Sequence, residues 1–136
     1  MKQYVLDANA LMRFLQKGPG FDRVSALFRL ASKGEARLLI SVVNRGEVLY
    51  ILARRAGIHE ASEALTILSG LIELADVHEE EADAAALLKL RYKLGFADCF
   101  AAELAIRKGA TLVTADPDFV KLGKQLKILA LPPHSK

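Results

Sequence analysis

Tyr4-Val5-Leu6-Asp7-Ala8-Asn9 is the stretch whose reading decides the fold. A short apolar run ends abruptly in a carboxylate, and the helix formers Ala8, Ala10, Leu11 and Met12 come directly after it. Strand, acid and helix in that order set Asp7 at the carboxyl end of a strand, the edge at which open α/β sheets bind ligands. The remaining informative acids are read outward from it.

Hydrophobic spacing organises the rest. Lys2 to Leu6 reads as a strand and Ala8 to Gln16 as a short helix, halted by the breaker cluster Lys17-Gly18-Pro19-Gly20. Val24, Leu27, Phe28 and Ala31 share one face of a helix from Phe21 or Asp22 to Ser32, which Lys33-Gly34 ends. Ala36 to Ser41 is a second buried strand, followed by helices over Val42 to Ala56 and His59 to Leu71. A third strand, Ile72 to Val77, precedes a helix opened by His78-Glu79-Glu80-Glu81 and carried on to Leu94 before Gly95. Those acids suit the positive end of a helix, which accounts for them as a solvated helix start. Ala97 to Lys108 is the next helix and Thr111 to Thr114 the fourth strand. Asp116-Pro117-Asp118 starts a short helix, Lys127 to Leu131 forms the last strand, and His134-Ser135-Lys136 is expected to fray. Alternation at this spacing implies right-handed crossovers and a parallel sheet with helices on both faces.

A chain of 136 residues suits one domain with a hydrophobic core. With 52% hydrophobic and 26% charged residues it is globular rather than disordered. No apolar run approaches the roughly 20 residues of a membrane-spanning helix. The start enters a strand without an apolar leader, so a cytoplasmic location is expected. The lone Cys99 can form no internal disulfide and is expected to be a small core residue. A net charge of +3 suits a polyanionic partner without requiring one.

Asp7 follows the first strand, Glu47 lies in the helix after the second, and Asp116 follows the fourth, so these acids share one sheet edge. Each also has a plain structural reading. Asp7 and Asp116 are good helix caps, Asp116 the better because Pro117 suits a first helical position, and Asp98 near a helix start reads the same way. Glu47 stands four residues after Val43 and four before Ile51, partly turned toward the protein, where an acid needs a partner such as Arg54. Asp98, Ala101, Ala102 and Ala105 form a stripe of small side chains that would let a helix approach the sheet closely. Asn9 is either an orienting partner for Asp7 or an ordinary turn residue.

The motifs Val5-Leu6-Asp7-Ala8-Asn9 with Arg13, Ile40-Ser41-Val42-Val43-Asn44-Arg45-Gly46-Glu47, Phe96-Ala97-Asp98-Cys99-Phe100-Ala101-Ala102 and Leu112-Val113-Thr114-Ala115-Asp116-Pro117-Asp118-Phe119 run through nearly the whole chain. In order and spacing they resemble the PIN-domain ribonucleases, and among these the toxins of VapBC-type toxin–antitoxin pairs. The resemblance implies a three-layer α/β/α domain with a parallel sheet of about five strands. It also implies a pocket in which Asp7, Glu47, Asp98 and Asp116 hold Mg²⁺ or Mn²⁺ for cutting single-stranded regions of RNA, and a cognate antitoxin protein as partner. Asp98 is placed at the shared edge by that pattern alone. Thr114 reads first as a buried β-branched strand residue and otherwise as a hydroxyl near the ions, and Asp118 first as a helix-start acid and otherwise as a residue sharing the role of Asp116. Two positions depart from the family: Ala8 stands where Thr or Ser is frequent, and Pro117 where a basic residue often follows the last acid.

Electrostatics agrees with such a pocket. Two carboxylates about 4 Å apart repel by roughly 4 kcal/mol at an effective dielectric of 20, so converging acids require cations. Oxygen-only donors favour hard ions, and His59, His78 and His134 fall on expected surface or tail positions. Arg13 and Arg45, with Arg54 and Arg55 behind them, are candidates to hold RNA phosphates, although each taken singly reads as a solvated surface charge. Between Val42 and Leu71 a surplus of apolar residues, Ile58 and Ile67 among them, suggests a groove for a partner helix or a homodimer face. Two other readings remain open: a haloacid-dehalogenase-type phosphatase, which would need an acid at Asn9, and a silent RNA- or protein-binding scaffold.

Overall fold

Val5, Leu39 and Leu112 are almost wholly removed from solvent, as strand residues are when both faces of a sheet are covered. The structure, a computed structural model, describes residues 1–133. Five strands form a parallel sheet: β1 (Lys2–Leu6), β2 (Ala36–Ser41), β3 (Ile72–Ala75), β4 (Thr111–Thr114) and β5 (Lys127–Ala130), in the order β3-β2-β1-β4-β5. Val5 pairs with Leu39 on one side and Leu112 on the other, so β1 is the central strand.

The two-residue period of a strand divides the core. Tyr4, Leu6, Leu38, Ile40 and Val113 pack against α1 (Ala8–Leu15), α2 (Phe21–Ser32), α3 (Val42–Ala56) and α4 (Ile58–Leu68). Val5, Leu39 and Leu112 point the other way, onto α5 (Glu79–Tyr92) and α6 (Phe96–Lys108). The result is the expected α/β/α arrangement. On α6 the stripe Ala101, Ala102 and Ala105 is fully buried in that second layer. Cys99 lies in it too, and its burial pushes the thiol above its ordinary range. No helix among the described residues is long and apolar enough to cross a membrane.

Most differences from the sequence-based expectation are at element ends. β3 stops at Ala75 rather than Val77, and α4 ends at Leu68 rather than Leu71, just ahead of Ser69-Gly70. α5 closes at Tyr92, where Lys93 adopts a left-handed conformation (φ 57°), two residues before the expected glycine. His78 precedes α5, its N–H donating to Glu81 Oε1 at 2.8 Å, with Glu79 and Glu80 exposed as a helix start should be. The turn after β4 is a longer 3-10 segment, Pro117–Gln125, interrupted at Gly123. The tail beginning at His134 lies outside the described residues.

Chain order now locates the site. From β1 the chain builds toward β2 and β3 on one side, then crosses to β4 and β5 on the other. The reversal leaves a crevice outside the carboxyl ends of β1 and β4, the position at which open α/β sheets take ligands.

Candidate active site

Asp7 leaves β1 at that crevice. Its N–H donates to Val113 O at 3.3 Å, continuing the sheet, and its Oδ1 accepts from Ala10 N at 2.7 Å, capping α1. Asp116 repeats the construction beyond β4: its N–H donates to Thr114 Oγ1 at 3.0 Å and its Oδ1 accepts from Asp118 N at 2.9 Å, ahead of Pro117. Each is therefore a cap and a cleft residue at once, because capping engages one carboxylate oxygen of two. Asp98 differs from its sequence reading. α6 begins at Phe96 with Gly95 as its cap residue, so Asp98 sits inside the first turn and caps nothing. A Cβ on Gly95 would fall 2.9 Å from Asp98 Oδ2, so a larger residue there would force this carboxylate to shift from its place in the cleft. Glu47, on the second turn of α3, accepts from Asn44 Nδ2 at 2.9 Å.

These elements bring Asp7, Glu47, Asp98 and Asp116 to one cleft of about 370 Å³. Asp7 is 2% exposed. Burial pushes it up to about 7, Asp98 and Asp116 add to the rise, and the Thr114 hydroxyl and Ala10 N–H oppose it. Asp98 rises to about 6, first by burial and then through the charges of Asp116 and Glu47 and a hydrogen bond with Asp116. None of these acids forms an ion pair among the described residues. The cleft thus holds more carboxylate than it can ionise near neutrality without an added cation.

Oxygen donors of this kind fit a hard divalent ion. Among the described residues no three His, Cys, Asp or Glu side chains form a ready-made cage. An ion held by part of the set would keep several waters, the coordination habit of Mg²⁺.

The other expected residues occupy varied positions. Thr114 is buried beside Asp7. Asn9 is exposed on the cleft wall, while the backbone N–H of Ala10, rather than Asn9, holds Asp7 Oδ1. Asp118 is exposed and lies 4.0 Å from Lys121 Nζ. Arg13, expected as a candidate to hold RNA phosphate, is among the residues lining the acid cleft, but it is not a surface cation. It is 3% exposed, and its guanidinium donates to the carbonyls of Pro19 and Pro132, tying α1 to the end of the described chain. Arg45 opens onto a different cavity, on the β2–β3 side of the sheet. Arg54 lies over the Tyr50 ring and does not answer Glu47. Arg55 is the exposed cation on the acid cleft itself. Of the apolar surplus, Leu65 and Leu68 are buried, whereas Ile58 and Ile67 stand 71% and 72% exposed.

Two site residues went unrecognised in the sequence. Asn44 could have been paired with Glu47 from their three-residue spacing on a helix. The crowding at Gly95 leaves no sequence signal, since any helix start tolerates glycine.

Fold and cleft together define a three-layer α/β/α domain with acids at the switch point of its sheet. Residues 4–125 match the PIN domain, and the chain belongs to the PIN domain family. Its fold is similar to VapBC2 from Rickettsia felis bound to a DNA fragment from its promoter, with TM-score 0.75 and 22% identity over 95% of this chain and 98% of that one. DNA-bound VapBC from Salmonella typhimurium gives TM-score 0.77 and 18% identity over 96% and 98%. Mycobacterium tuberculosis VapC20, a sarcin–ricin loop cleaving toxin, gives 0.69 and 21% over 88% and 95%. A sequence comparison with curated proteins finds no match.

Proposed function

We propose that this chain is an Mg²⁺- or Mn²⁺-dependent endoribonuclease, the toxin of a VapBC-type toxin–antitoxin pair acting in the cytoplasm. The observation that carries the reading is Asp7, an almost wholly buried carboxylate that shares its cleft with Glu47, Asp98 and Asp116 and has no cationic partner among the described residues. A structural acid so placed would be expected to have a paired cation. Family membership and the toxin–antitoxin complexes that share the fold support the same reading.

When bound, a divalent cation would offset this negative charge and polarise a phosphodiester oxygen for hydrolysis. The chain supplies the rest. Asp7, Asp98 and Asp116 would hold the ion through carboxylate oxygens, and binding would favour the ionised forms of Asp7 and Asp98 against the burial that raises both. Glu47, oriented by its hydrogen bond from Asn44, would complete the ligand set or accept a proton from water. Thr114 holds the backbone that presents Asp116. Arg55 would draw an RNA phosphate to the rim of the cleft. By the same reading the chain has a cognate antitoxin as partner and assembles as a homodimer.

Antitoxin-free protein incubated with a structured RNA containing single-stranded loops tests this. Cleavage with Mg²⁺ or Mn²⁺ that disappears in EDTA is the expected result. No metal-dependent cleavage of any RNA would favour a silent scaffold, and phosphate release from small phosphomonoesters would favour a phosphatase.

A further inference from the structure

We propose that Asn44 is a positioning residue for Glu47, its buried amide tying that carboxylate to the first turn of α6 and so fixing Glu47 against Asp98. The inference deepens the metal-nuclease reading and rests on it. Asn44 is completely buried, in the first turn of α3. Its Nδ2 donates twice, to Glu47 Oε1 at 2.9 Å and to Ala97 O at 3.1 Å. Both partners are acceptors, so the nitrogen must face them and the surroundings fix the orientation of the amide. Ala97 directly precedes Asp98. One side chain therefore holds two elements that carry like-charged groups into the same cleft.

The arrangement is unfavourable as mere packing. Asn44 Oδ1 is buried and has no hydrogen-bond partner among the described residues, whereas a leucine of similar size carries no polar atom of its own to leave unpaired. An asparagine that tolerates an orphaned oxygen to place both its N–H groups is explained by the bridge they make. Glu47 has no ion pair among the described residues to fix it, and Arg54, the cation expected as its partner, lies over Tyr50. The amide is thus the group that restrains a long, flexible side chain at the cleft.

The test is Mn²⁺ binding by calorimetry on the full chain, beside thermal unfolding, for wild type, Asn44→Leu, Glu47→Gln and the double variant. The expected result is an Asn44→Leu protein that unfolds at or above the wild-type temperature and binds Mn²⁺ about tenfold or more weakly. In the Glu47→Gln background the same change should cost no further affinity, because Asn44 acts through that carboxylate. Wild-type affinity in Asn44→Leu, or an equal loss with and without Glu47, overturns the positioning role while leaving the nuclease reading intact. A wild type that binds no Mn²⁺ overturns both. Should Asn44→Leu fail to fold, the wild type decides: the Asn44 side-chain N–H signals must shift during a Mg²⁺ titration followed by NMR, and unmoved signals overturn the proposal.

Discussion

The two buried acids of this protein that tell most about function, Asp7 and Glu103, have opposite surroundings. Glu103 lies on α6 at 8% exposure, and Arg107 one turn away answers it with two hydrogen bonds, at 2.8 and 3.3 Å. Asp7 is more deeply buried and meets further acids instead of a cation. Asp98, five residues before Glu103 on the same helix, belongs to the Asp7 type. The far edge of the sheet repeats the paired solution, with Arg37 and Glu73 joined at 2.6 Å and the Glu73 carboxyl held below its ordinary range. Glu103 and Glu73 each have an arginine paired with them, whereas among the described residues no acid at the switch point forms an ion pair, and that asymmetry marks the site.

Substitutions can break the contrast. Asp7→Asn keeps the oxygen that caps α1 and removes the buried charge. RNA cleavage should fall by about a hundredfold or more, while the metal-free protein at pH 8, followed by denaturant unfolding, gains stability on the order of a few kcal/mol. A drop in stability would mean that Asp7 serves the fold, as Glu103 does. Gly95→Ala places a methyl against Asp98 Oδ2 at a backbone conformation open to any residue. Cleavage should decline roughly tenfold to a hundredfold with little change in unfolding.

The pH dependence sharpens the comparison further. Asp7 at about 7 and Asp98 at about 6 both lie above an unfolded carboxylate near 4, so the native state binds more protons across that interval. Stability without metal should therefore fall as pH rises from about 4 to about 7, and saturating Mn²⁺ should restore it at pH 8 by binding only the folded form. Denaturant midpoints at three pH values, with and without Mn²⁺, check the sign. The smallest effect belongs to the paired acid: Glu103→Gln should cost roughly 1 kcal/mol of stability, given the part-exposed Arg107, and leave cleavage unchanged.

Much of this was legible in the sequence because it depends on local pattern. Apolar runs bounded by breakers located all five strands, and the strand-then-acid order put Asp7 and Asp116 at the right edge. What escaped depends on approach in three dimensions. Arg13 in the sequence is a cation on a short helix beside Asp7, yet it is buried and its guanidinium is taken by the carbonyls of Pro19 and Pro132. Arg45 and Arg55 lie ten residues apart on one helix and open onto different cavities, a distinction fixed by helical phase and by packing against the sheet. Asn44 looks like any polar residue in a first helical turn until α6 arrives from 53 positions away.

The most direct test is the position of Mn²⁺ in a crystal of the wild-type protein, read from its anomalous scattering. The account predicts a peak in the cleft between Asp7, Asp98 and Asp116, absent from Asp7→Asn crystals grown under the same conditions. A peak elsewhere, or an empty cleft at saturating Mn²⁺, would contradict it.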